Sequence, residues 1–276
     1  MSVTVGEIVT ILKDIAPLQL KESWDNPGLL VGNPDEPVTK IMVTLDVMMD
    51  SVDYAVAHGV DLIVSHHPVI FNGLKSIRTD TYDGAMFQKL LSHHIAVFSA
   101  HTNLDSANGG VNDVLAHQLG LTELSGLVPV EAYPSYAMGR VGSWPVPERA
   151  GQVLQKIKEL LHVPVLPYAG DLDTMVTKVA VLGGAGASFM DIVKASGAQL
   201  YVTGDVKYHD AQQAVKLGLV VADGGHFGTE IPVVADLQAR LSHTSEAKGW
   251  DIPVITDPTS RNMLDYFINE PEREQK

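Results

Sequence analysis

Two adjacent imidazoles, His66 and His67, stand where the apolar run LIVS gives way to Ser65-His66-His67-Pro68. Neighbouring side chains inside a strand point to opposite faces, so paired histidines converge only after the strand has stopped. Pro68 favours that stop by restricting His67 to extended geometry. Two other apolar runs end in a similar way. IAVFS leads through Ala100 to His101 and then Asp105, and GLVVA leads through Asp223-Gly224-Gly225 to His226 and then Glu230. IPVVADLQARL reads as helical. If that helix begins near His226, then His226 and Glu230 lie one turn apart on one face, within reach of one ion or of two neighbouring ones. Gly224 and Gly225 leave the backbone free to turn sharply.

The set His66, His67, Asp105, His226 and Glu230 mixes imidazole nitrogen with carboxylate oxygen. That mixture suits Zn, Mn, Fe, Co or Ni, whereas an all-oxygen cage suits Mg or Ca better. Five donors exceed the needs of one tetrahedral zinc. A carboxylate can bridge two ions about 3.5–4 Å apart, the spacing of two-metal hydrolytic sites. Glu230 is the bridging candidate. The expectation is therefore two divalent metal ions per chain and a metal-activated water acting on a small-molecule substrate. His101 and His209 are the candidates for proton transfer at the same centre. For His209, which follows YVT and Asp205, a purely structural role is the equal alternative.

The elements that must position these loops alternate. Residues 40–46 and 60–65 read as strands around a helix over 50–58; 95–99 reads as a strand between helices over 83–92 and 110–119. KVAVL, FMDIVKASG and AQLYVTG repeat the strand–helix–strand order in the second half. Such alternation implies an α/β fold with helices on the sheet faces. A shift of 138 residues lays 40–65 over 178–203 without a gap and pairs Lys40 with Lys178, Asp53 with Asp191, Gly59 with Gly197 and Leu62 with Leu200. The expected architecture is two similar α/β domains from an internal duplication, with mixed sheets flanked by helices and the metal site in the interdomain cleft. The boundary is set near 128, giving domains 1–128 and 129–276, with the segment from about 226 lining the shared cleft. Prolines and glycines over 125–147 break regular helix there.

Two turn motifs carry open alternatives. Trp24-Asp25-Asn26 precedes Pro27-Gly28. It is either a loop locked by its own hydrogen bonds or a rim that holds substrate or orients a ligating histidine. Gly183-Gly-Ala-Gly-Ala-Ser188 is either a tight strand-to-helix turn or an anion contact; it is neither a Walker loop nor a full dinucleotide fingerprint.

Composition narrows the class. The chain of 276 residues is 45% hydrophobic and 19% charged, which supports a sizeable core. It has no cysteine, which excludes disulfides and thiolate ligands. A formal charge of −14 disfavours nucleic acid as a partner. The opening MSVTVGEIVTILKDI reads as a capped amphipathic helix, not a leader, and no apolar run approaches the roughly 20 residues of a membrane span. A cytoplasmic protein without membrane association is expected. The charged tail NEPEREQK is expected to fray.

The sequence resembles the Nif-three-like family, whose members also carry the label GTP cyclohydrolase 1 type 2 homologue. The matching stretches are Glu22-Ser-Trp-Asp-Asn-Pro-Gly-Leu-Leu-Val-Gly32, Ser65-His-His-Pro68, His101-Thr-Asn-Leu-Asp105, Gly109-Gly-Val-Asn-Asp113, Thr203-Gly-Asp205 with His209, and Gly225-His226 with Glu230. The resemblance implies a dinuclear centre in which His67 and Asp105 hold one ion, His66 and His226 the other, and Glu230 bridges. It also implies a ring-shaped hexamer and a purine nucleotide such as GTP as substrate. A phosphoesterase, or a metal-binding or regulatory protein without catalysis, remains the alternative.

Overall fold

A computed structural model describes residues 2–267, so the NEPEREQK tail lies outside the described residues. The chain opens with α1 (Val5–Ile15), capped by Thr4 and Glu7 in a reciprocal box as the sequence predicts. β1 (Gly28–Val31), β2 (Ile41–Thr44), α2 (Met49–Ala57), β3 (Leu62–Ser65), α3 (Tyr82–Ser92), β4 (Ala96–Ser99), α4 (Thr102–Ser106) and α5 (Val111–Gln118) follow. The second half carries β5 (Thr122–Val130), β6 (Tyr133–Arg149), α6 (Ala150–Leu160), β7 (Tyr168–Ala169), β8 (Met175–Val181), α7 (Met190–Ala195), β9 (Leu200–Thr203), α8 (Tyr208–Leu217) and β10 (Val220–Asp223). The chain closes with α9 (His226–Glu230), α10 (Pro232–Ala247) and β11 (Val254–Thr256).

These strands build two mixed sheets, in the orders β1-β4-β3-β2-β11 and β5-β6-β8-β9-β10-β7. β2, β3 and β9 are buried along their whole length, as continuous apolar strands covered on both faces by helices must be. Ile8, Leu62, Phe98 and Leu237 lie in the core on one face of the first sheet, and Met42, Ile63 and Leu90 in the core on the other. The second sheet is covered likewise, by cores containing Val153, Ile157 and Val202 on one side and Tyr201, Val193 and Ala214 on the other.

Two features of the topology are not evident in the sequence pattern. The proline-rich 125–147 segment, expected to break regular helix, lies within the long hairpin of β5 and β6. Pro129 sits on β5, which is an edge strand. Pro145 and Pro147 fall where the β6–β8 register shifts between Ser143 and Glu148, so neither removes a regular ladder bond. A boundary at 128 therefore runs through β5. The chain also returns to its starting sheet: α10 packs Val233, Leu237 and Leu241 into the first core, and β11 adds in parallel to β2. Arg140 of β6 and Asp113 of α5 tie the halves together through two 2.7 Å bonds in a bidentate, part-buried pair.

Candidate metal centre

The loops that leave the C-terminal ends of β3, β4 and β10 meet in one place. In open α/β sheets this is where ligands sit, because the strands stop and side chains from neighbouring loops face one another. Three groups of side chains there could each hold an ion: His66 with Asp105 and Glu230; His67 with His226 and Glu230; and His66 with His67 and His101. All five residues expected as ligands are brought together. Glu230 belongs to two groups, as a bridging carboxylate must.

The groups overlap, because His66, His67 and Glu230 each belong to two of them. His66 Nε2 lies 3.7 Å from both Asp105 Oδ1 and Glu230 Oε1, while His67 Nε2 and His226 Nε2 lie 3.0 and 3.2 Å from Glu230 Oε2. His66 thus stands with Asp105, and His67 with His226.

Every histidine of the centre is held by its outer nitrogen. His66 Nδ1 donates to the Ala100 carbonyl oxygen at 2.8 Å, which turns Nε2 toward Asp105 and Glu230. His67 Nδ1 meets Asp46 Oδ1 at 2.7 Å, His101 Nδ1 meets Asp25 Oδ1 at 2.8 Å, and His226 Nδ1 meets Asp205 Oδ2 at 2.9 Å. A histidine whose Nδ1 is fixed by an acceptor presents Nε2 in one orientation and with raised basicity, the arrangement that favours ligation. His66 Nε2 and Asp105 Oδ1 are buried without a hydrogen-bond partner. Buried polar atoms are rarely left so, because their desolvation goes uncompensated, and a cation at that point supplies the missing partner. The donors present therefore fit a metal.

Charge regulation follows the same pattern. Burial raises the Glu230 carboxyl, but the facing His66, His226 and His67 hold it well below the usual carboxylate range. Burial works to lower His67, yet its bonds to Asp46 and Glu230 prevail and push it up to about 10. His226, hydrogen-bonded to Glu230 against a smaller opposing effect of burial, rises to about 9. Asp105 is pushed up to about 7 by burial, with His66 opposing. Without metal, protons on His67 and His226 stand in for the cations that would balance Glu230.

Asp25 is the orienting residue of the two alternatives for its loop. Besides His101 it accepts from the Thr102 amide at 3.0 Å and from the Thr102 hydroxyl, and these bonds bring it down to about 2 against burial. The Gly183–Ser188 turn is built for packing. The amides of Gly183, Gly184 and Gly186 donate to Asn112, Thr229 and Thr203. A Cβ on Gly184 would lie 2.2 Å from Glu230 Oε1. His209 is exposed on α8 with Nδ1 3.0 Å from Gln212, and no metal-holding group among the described residues includes it. Asp46 and Asp205 were not predicted as orienting residues. Asp46 directly follows an apolar strand in KIMVTLD, and a carboxylate at that C-terminal edge was the available signal.

Fold and centre together define an α/β protein with a nitrogen–oxygen site between two related sheets. A sequence profile of Duf34/NIF3 (NGG1p interacting factor 3) matches residues 3–262, and the chain belongs to that family. It is 34% identical over 268 residues, covering 97% of this chain and 99% of the relative, to a Clostridium acetobutylicum protein named GTP cyclohydrolase 1 type 2 homolog. The crystal structure of a Bacillus cereus protein related to NIF3 superposes with a TM-score of 0.90 at 26% identity, covering 96% of this chain and 99% of that one. A Staphylococcus aureus hypothetical protein gives 0.91 at 26% identity, covering 97% and 100%. No helix among the described residues is long and apolar enough to cross a membrane.

Proposed function

We propose that the chain is a dinuclear-metal-dependent hydrolase acting on a small molecule, with a purine nucleotide as the leading substrate class. The carrying observation is the Glu230 carboxylate, buried between three histidines whose outer nitrogens are already engaged. In this reading His66, Asp105 and Glu230 hold one ion, and His67, His226 and Glu230 hold the second. A divalent pair in such a setting supplies Lewis acidity and brings the pKa of water towards neutrality.

The chain's own residues do the rest. Asp46, Asp205 and the Ala100 carbonyl fix the ligand rings. His101, oriented by Asp25 and grouped with His66 and His67, is the proton carrier at the rim. The names of the curated relatives support the nucleotide class. Assembly into a hexamer belongs to the same proposal.

The test is metal analysis of protein purified without chelators, followed by turnover assays on GTP and on phosphoesters. About two ions per chain are expected, with turnover that chelation removes and that Glu230→Ala abolishes. Full activity in Glu230→Ala sinks the mechanism. Metal binding without turnover on any substrate favours a carrier or regulatory role.

A further inference from the structure

Two large aromatic side chains are left in solvent beside the centre. Trp24 is 59% exposed and Phe71 47% exposed. Single exposed apolar residues are common and need no explanation. These two converge. Their ring centroids lie 5.9 Å apart, and each lies 6.1 Å from the His101 ring in an edge-on arrangement. His101 in turn lies 5.3 Å from His66 and 5.7 Å from His67, ring to ring. The aromatic pair is therefore one imidazole away from the candidate ligands.

The backbone that presents these rings is fixed. Asn26 Nδ2 donates to the Ile70 carbonyl at 2.7 Å and joins the two loops. The Glu22 amide donates to the Thr102 hydroxyl at 2.9 Å, and the Asp25 amide to the Glu22 carbonyl at 3.0 Å. A rigid frame holding two rings in water forms a wall rather than a frayed edge. Asp25 is spent on His101 and Thr102, so its carboxylate is not free to meet a ligand beside these π faces.

From this geometry we infer that Trp24 and Phe71 form the subsite for a planar heteroaromatic ring of the substrate. The ring stacks against the exposed aromatic face while the bonds attached to it reach past His101 to the centre. Stacking suits flat uncharged rings because every such ring has a π face, and preformed aromatics lose little conformational freedom on contact. The inference rests on the hydrolase reading for its small-molecule substrate. It assigns specificity for the ring to these two side chains, leaving the metal ligands to the chemistry.

Trp24 is one of three tryptophans, so Trp144→Phe with Trp250→Phe makes its emission the sole tryptophan signal. The probes for metal-loaded protein are guanosine, adenosine, uridine, pterin and the ring-free inorganic tripolyphosphate. The heteroaromatic probes are expected to quench Trp24, and tripolyphosphate to leave it unchanged. Measured by calorimetry, which needs no tryptophan, Trp24→Ala and Phe71→Ala should each weaken binding of the best ring probe by about tenfold or more. Metal content should not change, and Trp24→Phe should restore most of the affinity. Quenching by adenosine or pterin but not guanosine keeps the subsite and removes the guanine reading. If none of the ring probes perturbs Trp24, or if acrylamide cannot reach Trp24 in the native protein because a second copy covers it, the inference is overturned. Absence of bound metal with Trp24 still responding to rings would count against the hydrolase reading alone.

Discussion

The two halves of the molecule, set 138 residues apart, keep the same scaffold and divide the site unequally. Ile41 pairs with Leu62 in the first sheet and Val179 with Leu200 in the second, at the same parallel register. β4 and β10 then add at matching places, Ala96 opposite Leu62 and Val220 opposite Leu200. Each sheet next adds an antiparallel strand, β1 or β7. Just beyond those strands, Gly32 and Gly170 both have positive φ and press within 2.7–2.8 Å, measured from an added Cβ, of the strand beside them. After β3 the chain carries His66-His67. At the equivalent place after β9 it carries Gly204-Asp205. A Cβ at Gly204 would lie 2.8 Å from backbone atoms of Gly184, Gly225 and His226, so that position has no room for a ligand. Asp205 orients His226 instead of ligating. Asp46, which holds His67, has Gly184 as its counterpart, and that missing side chain makes room for Glu230. What persists is the packing grammar. The chemistry has moved to whichever half had space for it.

The largest test breaks this asymmetry at Gly184. Gly184→Ala adds a Cβ into Glu230 at a φ of +65°. It should cost about 2–4 kcal/mol of stability from left-handed strain and overpacking together, and lower metal affinity by about 100-fold. Gly59 and Gly197, a matched pair with φ of +65° and +81° and open space around them, serve as controls. Alanine at either should cost about 1 kcal/mol and leave metal content unchanged. Equal behaviour of all three variants in denaturation and metal analysis would show that Glu230 does not need the space.

Next come the two carboxylates that orient ligands, one from each half. Asp46→Asn and Asp205→Asn should each weaken metal binding by about 10–100-fold. Asp46 should have the larger effect, because its side chain is 33% exposed against 49% for Asp205, and its partner His67 is the more buried histidine. Titration of each variant with a metallochromic competitor measures the order, and a reversed order would mean that burial does not set the strength of this orientation.

Much of the site was legible because metal ligation demands particular residue types at strand ends, and sequence carries type and approximate position directly. His66-His67, Asp105 and the one-turn spacing of His226 and Glu230 are of this kind. The ring orientations were not legible, since which Nε2 faces which carboxylate is set by Asp46, Asp205 and the Ala100 carbonyl. The parallel strands could be read from their unbroken apolar runs. The β5–β6 hairpin could not, because prolines that argue against a strand are harmless at an edge or a register shift. Nor does local pattern reveal that β11 crosses back to the first sheet, a consequence of α10 burying its apolar face against that core.

Acidity separates the metal-free and metal-loaded chains. His67 and His226 rise to about 10 and 9 without metal, from an ordinary value of 6.5. Groups raised on folding stabilise the chain fully below their unfolded pKa and lose that contribution as pH climbs through the folded value. The metal-free protein should therefore lose thermal stability between pH 6.5 and about 10. Ligation needs neutral imidazoles, so metal affinity should increase over the same range, with proton release on binding. Melting curves with and without metal should diverge as pH rises. Parallel curves would mean that these histidines carry no exchangeable proton.

The smallest effect sharpens the comparison where the halves agree. Asp61 accepts from the Thr39 amide at 2.6 Å, the Thr39 hydroxyl at 2.7 Å and the Lys40 amide at 3.1 Å. Gln199 receives the equivalent three bonds from Thr177 and Lys178 at 3.0, 3.1 and 2.9 Å. Each therefore ties the entry of one βαβ unit to the start of the next strand, with a charged acceptor in one half and a neutral amide in the other. Charge-assisted bonds are the stronger, so Asp61→Ala should cost about 1–2 kcal/mol and Gln199→Ala about 0.5–1 kcal/mol. Neither residue belongs to a metal-holding group among the described residues, and metal content should hold in both variants. The pair thus separates scaffold from chemistry: if either variant loses metal, the shared packing frame is itself part of the site, and the division drawn between the halves fails.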